Sequence, residues 1–405
     1  MTYLASRMSS VGASPTAAIS DTLRRLAAEG KSVINLGEGE LDFATPDHVC
    51  EAGIAAIRGG QTKYTAVSGT PALKEAIARK FARENDMAVP VSQIIAGAGA
   101  KQLIFNAFLA TLDAGDEVLV PAPYWVSYPD MVSLAGGTPI IVPTGAETGW
   151  KLTPQALAGA LGPRTKWVIL NSPNNPTGAV YTAAEIQALG DVLADHTALI
   201  MADDIYEHMV HEVPFTAPAT ALPDLAERIL TVNGVSKGYS MTGWRLGYAT
   251  GPAWLISAMD ILQSQNTSNP STVSQAAAIA ALDGDMSFVD GWRDSLRARR
   301  DRLVKAIGAI PGLATDVPPG AFYVFADCTG LIGTRRPDGT RIASDVDVAE
   351  YLVSDVHVGT VPGTAFGTPG YLRLAYAIDD VLLSEAIDRI TAAVAKLEPA
   401  SLVSS

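Results

Sequence analysis

Val232-Asn-Gly-Val-Ser-Lys-Gly-Tyr-Ser-Met-Thr-Gly-Trp-Arg-Leu-Gly-Tyr248 sets an amine, Lys237, and a guanidinium, Arg245, eight positions apart among small and hydroxylic residues, just after a strand-like stretch. A primary amine forms a Schiff base with a carbonyl. Ser236 and Arg245 can together bind a phosphate dianion. The segment therefore reads as an anchor for pyridoxal phosphate, and the rest of the chain has to supply the parts that such an anchor needs.

Outward from this run, from about residue 93 to 250, short β-branched runs alternate with amphipathic stretches. This is the pattern of a mainly parallel sheet with helices on both faces. The expected strands are Gln93–Gly97, Glu117–Pro121, Pro139–Pro143, Trp167–Asn171, Ala198–Asp203, Ile229–Asn233 and Gly247–Thr250. Between the first two, Ile104, Phe108 and Leu112 recur four apart and give one apolar helix face. The last third differs: Phe288 to Ile310 reads as a long charged helix, followed by strands at Gly320–Phe325 and Gly370–Tyr376. Its expected partner is the N-terminal segment, with a helix at Pro15 to Glu29 and an extended entry at Lys31 to Leu36. The expected division is 1–45 as an N-terminal arm and part of a small domain, 46–287 as a large cofactor-binding domain, and 288–405 as the C-terminal small domain. Gly333 to Ser344 and Glu398 to Ser405 read as exposed loops.

A bound pyridoxal phosphate requires an amine, a dianion cradle, a carboxylate for the pyridine nitrogen and a donor to the ring oxygen. Asp203 ends the strand Ala198-Leu-Ile-Met-Ala-Asp203, so its carboxylate emerges at the carboxyl edge of the sheet, where open α/β folds place ligands. Tyr206, three residues on, can reach the ring oxygen. In Asn171-Ser-Pro-Asn-Asn-Pro-Thr-Gly178 the prolines and glycine hold an irregular backbone, with Asn175 as the expected donor. Gly97-Ala-Gly-Ala-Lys-Gln102 lies between a strand and the apolar helix, so N–H groups at the helix start can meet a phosphate.

The 405 residues carry 29 Lys plus Arg against 42 Asp plus Glu, a net charge of −13, which argues against nucleic acid as a partner. Cys50 and Cys328 are too few for a disulfide framework, no signal peptide or membrane span is visible, and the cytoplasm is the expected location. His208 and His211 lack a ligand set with metal spacing and read as exposed surface residues, so no metal is expected.

In this order and spacing the motifs resemble the fold type I pyridoxal phosphate aminotransferases of classes I and II, and within them the bacterial aspartate aminotransferase branch. Gly234 to Gly247 matches the lysine signature, and Ser172 to Gly178 and Gly363-Thr with Arg373 stand where that family has them. The resemblance spans nearly the whole chain. It implies a large domain with a mainly parallel seven-stranded sheet plus a smaller α+β domain.

By the same resemblance, Lys237 is the Schiff base lysine, Asp203 pairs with the pyridine nitrogen, and Asn175 and Tyr206 bind the ring oxygen. Trp125 stacks on the ring; Gly99, Ala100, Ser236 and Arg245 hold the phosphate beside Lys101, and Tyr64 reaches the phosphate of a neighbouring subunit in a homodimer. Arg373 grips the substrate α-carboxylate, with Gly39, Trp125 and Asn175 near it. Lys101 faces the distal carboxylate of an acidic amino acid. In relatives that also take prephenate a lysine lies near where Gly12 stands here, and Leu41 and Asp204 replace the usual Pro and Glu, with effects expected on the pocket walls.

The implied activity is ping-pong transfer of an amino group between an aspartate- or glutamate-like donor and a 2-oxo acid. Aromatic, branched or prephenate-type substrates stay open, as do a lyase or decarboxylase with the same anchor and a non-catalytic regulatory protein. Taken singly, Asp203 could cap a helix, Asn175 could serve a turn, and Arg373 could pair with a structural carboxylate.

Overall fold

Strand residues between 94 and 250 alternate between two apolar layers, and this alternation builds the central sheet. Val118, Val120, Trp167, Ile169 and Met201 face one buried layer with Phe108 and Leu255. Their neighbours Leu119, Val168, Leu170, Ile200 and Ala202 face the opposite layer with Leu189 and Leu193. Burial on both faces explains why these strands read as nearly continuous apolar runs.

The computed structural model describes residues 3–13 and 15–399. Among them the strands in chain order are β1 Ile34–Asn35, β2 Ile94–Gly97, β3 Glu117–Ala122, β4 Thr138–Pro143, β5 Thr165–Asn171 and β6 Leu199–Asp203. There follow β7 Ile229–Gly234, β8 Gly247–Thr250, β9 Tyr323–Asp327, β10 Val358–Gly359, β11 Val361–Pro362 and β12 Tyr371–Ala375. Seven of these form one sheet in the order β2-β8-β7-β6-β5-β3-β4. Only β8 runs antiparallel to its neighbours, β2 and β7. Each of the seven expected strands is present, with ends shifted by no more than two residues.

That topology brings distant residues to one edge. Parallel β5, β6 and β7 end at Asn171, Asp203 and Gly234, with Asn171 opposite Asp203 in register. Because β8 is reversed, its first residue, Gly247, lies opposite the last residues of β2 and β7. The helix Ala100–Thr111 starts at this same edge.

A second buried core gathers Leu296 and Leu303 of the helix Phe288–Ala309, Phe322 and Val324, and Leu383 and Ile390 of the helix Asp380–Val394. Ile34, Leu36 and Leu41 belong to this core, and β1 pairs in parallel with β10. Strands β11, β12 and β9 make a three-stranded antiparallel sheet there. Strands β10 and β11, which pair with β1 and β12 respectively, were not expected; two-residue strands carry no periodicity to read. The loop at 333–344 is mostly exposed but buries Ile342, and Arg335 exchanges backbone hydrogen bonds with Glu398. Residues 400–405 of the expected C-terminal loop lie outside the described residues. No helix among the described residues is long and apolar enough to cross a membrane.

Candidate active site

The strand ends surround a cavity of about 490 Å³ whose walls include Lys237, Asp203, Arg373, Tyr206 and Asn175. Lys237 follows β7 and is enclosed; its Nζ donates to the Gly39 carbonyl. Burial lowers its amine to about 8, while the Glu40 carboxylate pulls the other way. At pH 7 roughly one such amine in ten is neutral, against fewer than about one in a thousand for an ordinary lysine, so the group is prepared to act as a nucleophile.

Asp203 is 4% exposed. Its Oδ2 accepts from the Tyr128 hydroxyl at 2.5 Å and its Oδ1 from the Ile205 N–H at 3.4 Å. Burial pushes the carboxyl up to about 6, against the pull of those two hydrogen bonds and of Lys237. Asn171 fixes the turn beside it: its Nδ2 donates to the Asp203 carbonyl at 3.0 Å and its Oδ1 accepts from the Asn175 N–H at 2.9 Å.

Arg373, on β12, is 2% exposed, and no salt bridge to it is found among the described residues. Its Nη1 donates to Asn175 Oδ1 at 2.9 Å and its Nη2 to the Gly37 carbonyl at 2.6 Å, while Nε is buried with no partner. The guanidinium lies 4.5 Å from the Tyr323 ring centroid and 5.1 Å from that of Phe366. Burial holds its pKa below the usual value. A buried cation without a carboxylate is costly unless a ligand supplies one, so the reading of Arg373 as half of a structural ion pair falls. Because Asn175 spends its oxygen on Arg373, its amide NH₂ is the donor left for a ligand.

Residues from both sides of β8 come together where a dianion could be held. Gly99, at φ 92° and ψ 158°, precedes the helix Ala100–Thr111, and a Cβ there would stand 2.5 Å from Arg245 Nη2. The Gly99 N–H is taken by the Gly97 carbonyl at 2.8 Å. Gly99 therefore gives space for Arg245, and the N–H groups that open the helix at Ala100 and Lys101, which have no intrahelical acceptor, could donate to an anion. Arg245 donates to the Thr242 carbonyl at 2.9 Å, and Ser236 lines the same cavity. Lys101 Nζ lies 4.9 Å from the Trp125 ring centroid; burial and the Arg245 charge lower its pKa. Trp125 packs edge-on against Tyr128 at 5.2 Å.

Three expectations need correction or qualification. His208 and His211 are not free surface residues: His208 Nε2 is 2.9 Å from Glu84 Oε2, and His211 Nε2 is 3.0 Å from the Tyr376 hydroxyl. Glu84, Glu207 and His208 come within 4.8 Å of one another, but the buried ammonium of Lys80 already pairs with Glu207 and sits beside Glu84. Leu41 and Asp204 are not part of the cavity wall: Leu41 packs in the second core, and both Asp204 oxygens are buried without partners behind the site. Tyr64 is 90% exposed and lies outside this cavity, so one chain does not bring it to the other site residues. Tyr128, Asn171 and Tyr323 were missed. Tyr128 stands three positions after Trp125, at the start of the helix Ser127–Leu134, and its N–H donates to the Trp125 carbonyl at 3.0 Å; Tyr323 lies within the strand expected at 320–325.

A buried amine, a buried carboxylate at a sheet edge, free helix-start N–H groups beside a guanidinium and a buried arginine without a carboxylate come together here, an arrangement that could hold an anionic aldehyde and a carboxylate substrate. The chain belongs to the aminotransferase class I and II family, whose model matches residues 31–390. It is 50% identical over 395 residues to an aspartate aminotransferase of Rhizobium meliloti, covering 97% of this chain and 96% of that one. It is also 50% identical over 394 residues to an aspartate/prephenate aminotransferase of Cereibacter sphaeroides, covering 97% and 98% of the two chains. The crystal structure of the Rhizobium meliloti aspartate aminotransferase superposes with a TM-score of 0.95 at 48% identity, covering 98% of this chain and all of that one. The expected fold, a mostly parallel seven-stranded sheet with a small antiparallel sheet beside it, is thereby borne out.

Proposed function

We propose that this chain is a pyridoxal phosphate-dependent aminotransferase that moves an amino group from an aspartate- or glutamate-like donor to a 2-oxo acid. The observation that carries the reading is the convergence of Lys237, Asp203 and Arg373 on one cavity. The residues fit the cofactor: Gly99 leaves room where any side chain would strike Arg245, and Asp203 is a buried carboxylate open to a cationic partner. Once bound, pyridoxal phosphate supplies an electron sink for the charge that develops at the substrate Cα.

Everything else is the work of the chain's own groups. Ala100, Lys101, Ser236 and Arg245 hold the phosphate. Asp203, fixed by Tyr128, keeps the pyridine nitrogen protonated, and Asn175 and Tyr206 donate to the ring oxygen while Trp125 covers a ring face. Arg373 takes the substrate α-carboxylate, with Gly39 contributing backbone beside it. Lys237 carries the cofactor at rest, and on release its amine moves the proton at Cα. Gripping the carboxylate protects it from loss, which favours cleavage of Cα–H over decarboxylation. Lys101, at the cavity mouth, is the cation for a distal carboxylate.

The exposed Tyr64 supports a homodimer in which each copy completes the partner's phosphate site. The division at residues 45 and 287 belongs to the same reading, as does a cytoplasmic location, to which the two free cysteines are suited. The relative that takes prephenate is as similar as the aspartate enzyme, so prephenate is the second acceptor to assay.

Reduction of the loaded protein with borohydride, followed by peptide mass analysis, should place the cofactor on Lys237. Initial rates with aspartate and 2-oxoglutarate should give parallel double-reciprocal lines. An unlabelled Lys237 or intersecting lines would overturn the assignment.

A further inference from the structure

Tyr323 is a buried side chain in contact with several parts of the site, and none of the roles above uses it. It opens β9, and its hydroxyl lies 2.8 Å from that of Tyr206, where either oxygen can donate. Its ring sits 4.5 Å from the Arg373 guanidinium. Its hydroxyl also lies 2.7 Å from where a Cβ at residue 39 would stand, so only glycine fits in the turn whose carbonyl receives Lys237. One phenol thus touches the ring-oxygen donor, the carboxylate clamp and the lysine's backbone acceptor.

Resting on the proposed function, we infer that Tyr323 is a positioning residue with two separable tasks: its hydroxyl sets the direction of the Tyr206 hydrogen bond, and its ring supports the Arg373 guanidinium. The Tyr206 hydroxyl has one hydrogen. When that hydrogen goes to the cofactor ring oxygen, the only protein partner of Tyr206 Oη among the described residues is Tyr323, which must then donate. Donation into Tyr206 polarises its O–H and makes it a stronger donor in turn. The Arg373 plane, which carries no carboxylate of its own, rests on the π face of the same ring.

The tasks separate because phenylalanine keeps the ring and loses the hydroxyl. A donor at the cofactor ring oxygen competes with the lysine nitrogen for that oxygen. Weakening the donor therefore raises the pH at which the visible absorption of the loaded protein changes. The charged and titratable groups facing Tyr206 include Tyr323, Arg373, Asp203, Tyr128 and Lys237, and those facing Lys237 include Glu40, Arg373, Arg245, Glu38 and Asp203. All except Tyr323 are unchanged in Tyr323→Phe.

The test is a spectrophotometric pH titration of the loaded enzyme, paired with binding of maleate, an unreactive dicarboxylate, for wild type, Tyr323→Phe, Tyr323→Leu, Tyr206→Phe and the Tyr206→Phe/Tyr323→Phe double variant. Tyr323→Phe should raise the midpoint by about 0.5 pH unit, as expected for loss of one modest hydrogen bond, and leave maleate affinity within about twofold. Tyr323→Leu should raise the midpoint similarly and weaken maleate by about fivefold, since the aromatic support is gone. The double variant should titrate like Tyr206→Phe alone. An unmoved midpoint in Tyr323→Phe, or an equal further rise in the Tyr206→Phe background, overturns the inference. If Tyr323→Leu does not fold, the phenylalanine variants decide alone. Borohydride labelling of wild type at Lys237 distinguishes the two levels: labelled protein with an unmoved midpoint sinks only this inference, and unlabelled protein sinks the proposed function.

Discussion

Replacing Asp203 by asparagine should make the cofactor-free protein more stable while removing the carboxylate proposed to partner the pyridine nitrogen. Burial raises the Asp203 carboxyl from 3.8 to about 6 in the folded chain. A group whose folded pKa is raised favours the fold fully below its unfolded value and loses that advantage as pH rises through the folded value. At pH 8 the ionised carboxylate therefore costs about 3 kcal/mol, from a difference of about two pKa units. Asparagine has nearly the same shape, can still accept from Tyr128, and carries no charge, so Asp203→Asn should recover most of that at pH 8. At pH 5 the wild-type carboxyl is largely protonated in the fold, and the gain should shrink to about half. Urea unfolding of the cofactor-free proteins at both pH values measures this, and transamination by the loaded variant should fall at least a hundredfold. Equal stability at pH 8, or a gain that does not shrink toward pH 5, would refute the reasoning that burial of this charge is uncompensated before the cofactor binds.

Lys101→Ala should lower selectivity for aspartate over phenylalanine by about tenfold in kcat/KM, because a partly desolvated cation leaves the cavity mouth; unchanged selectivity removes the argument for acidic substrates. Gly99→Ala should weaken cofactor affinity by about tenfold, since the backbone region is one only glycine adopts readily and the methyl displaces Arg245; equilibrium dialysis reads it. Lys80→Met should destabilise the protein by about 3–5 kcal/mol at pH 8. Burial pushes the Glu207 carboxyl up, and Lys80, His208 and Asn85 together bring it below its ordinary value, so the variant strands that charge. The deficit should lessen on acidification, as Glu207 takes up a proton; a deficit independent of pH counts against it.

The sheet was legible because alternating apolar residues such as Trp167 to Leu170 have two faces to satisfy, and turn residues such as Gly97 and Asn171 mark where each strand stops. The Lys237 run and Asp203 were singled out because their chemistry is specific, whereas Arg373 was reached only through the resemblance to a known family. What escaped depended on contacts between distant positions. Tyr128 and Asp203 are 75 residues apart, and nothing near either announces their hydrogen bond. The histidines were misread for the same reason: His208 is held by Glu84 from 124 positions away. Leu41 and Asp204 were assigned to the wall because they depart from the residues usual in the resembling family, whereas Leu41 packs in the second core and Asp204 is buried outside the cavity lining. The strands β10 and β11 pair through so few residues that no pattern can form.

Since each strand sends successive side chains to opposite layers, an inserted or deleted residue within β6 would exchange Ile200 and Met201 between the two interiors and rotate Asp203 out of its socket. Lengthening a segment beyond a strand's last residue disturbs neither interior. Divergence of substrate choice within such a scaffold is therefore channelled into the connections at one rim, and the strands themselves can drift in composition but not in length.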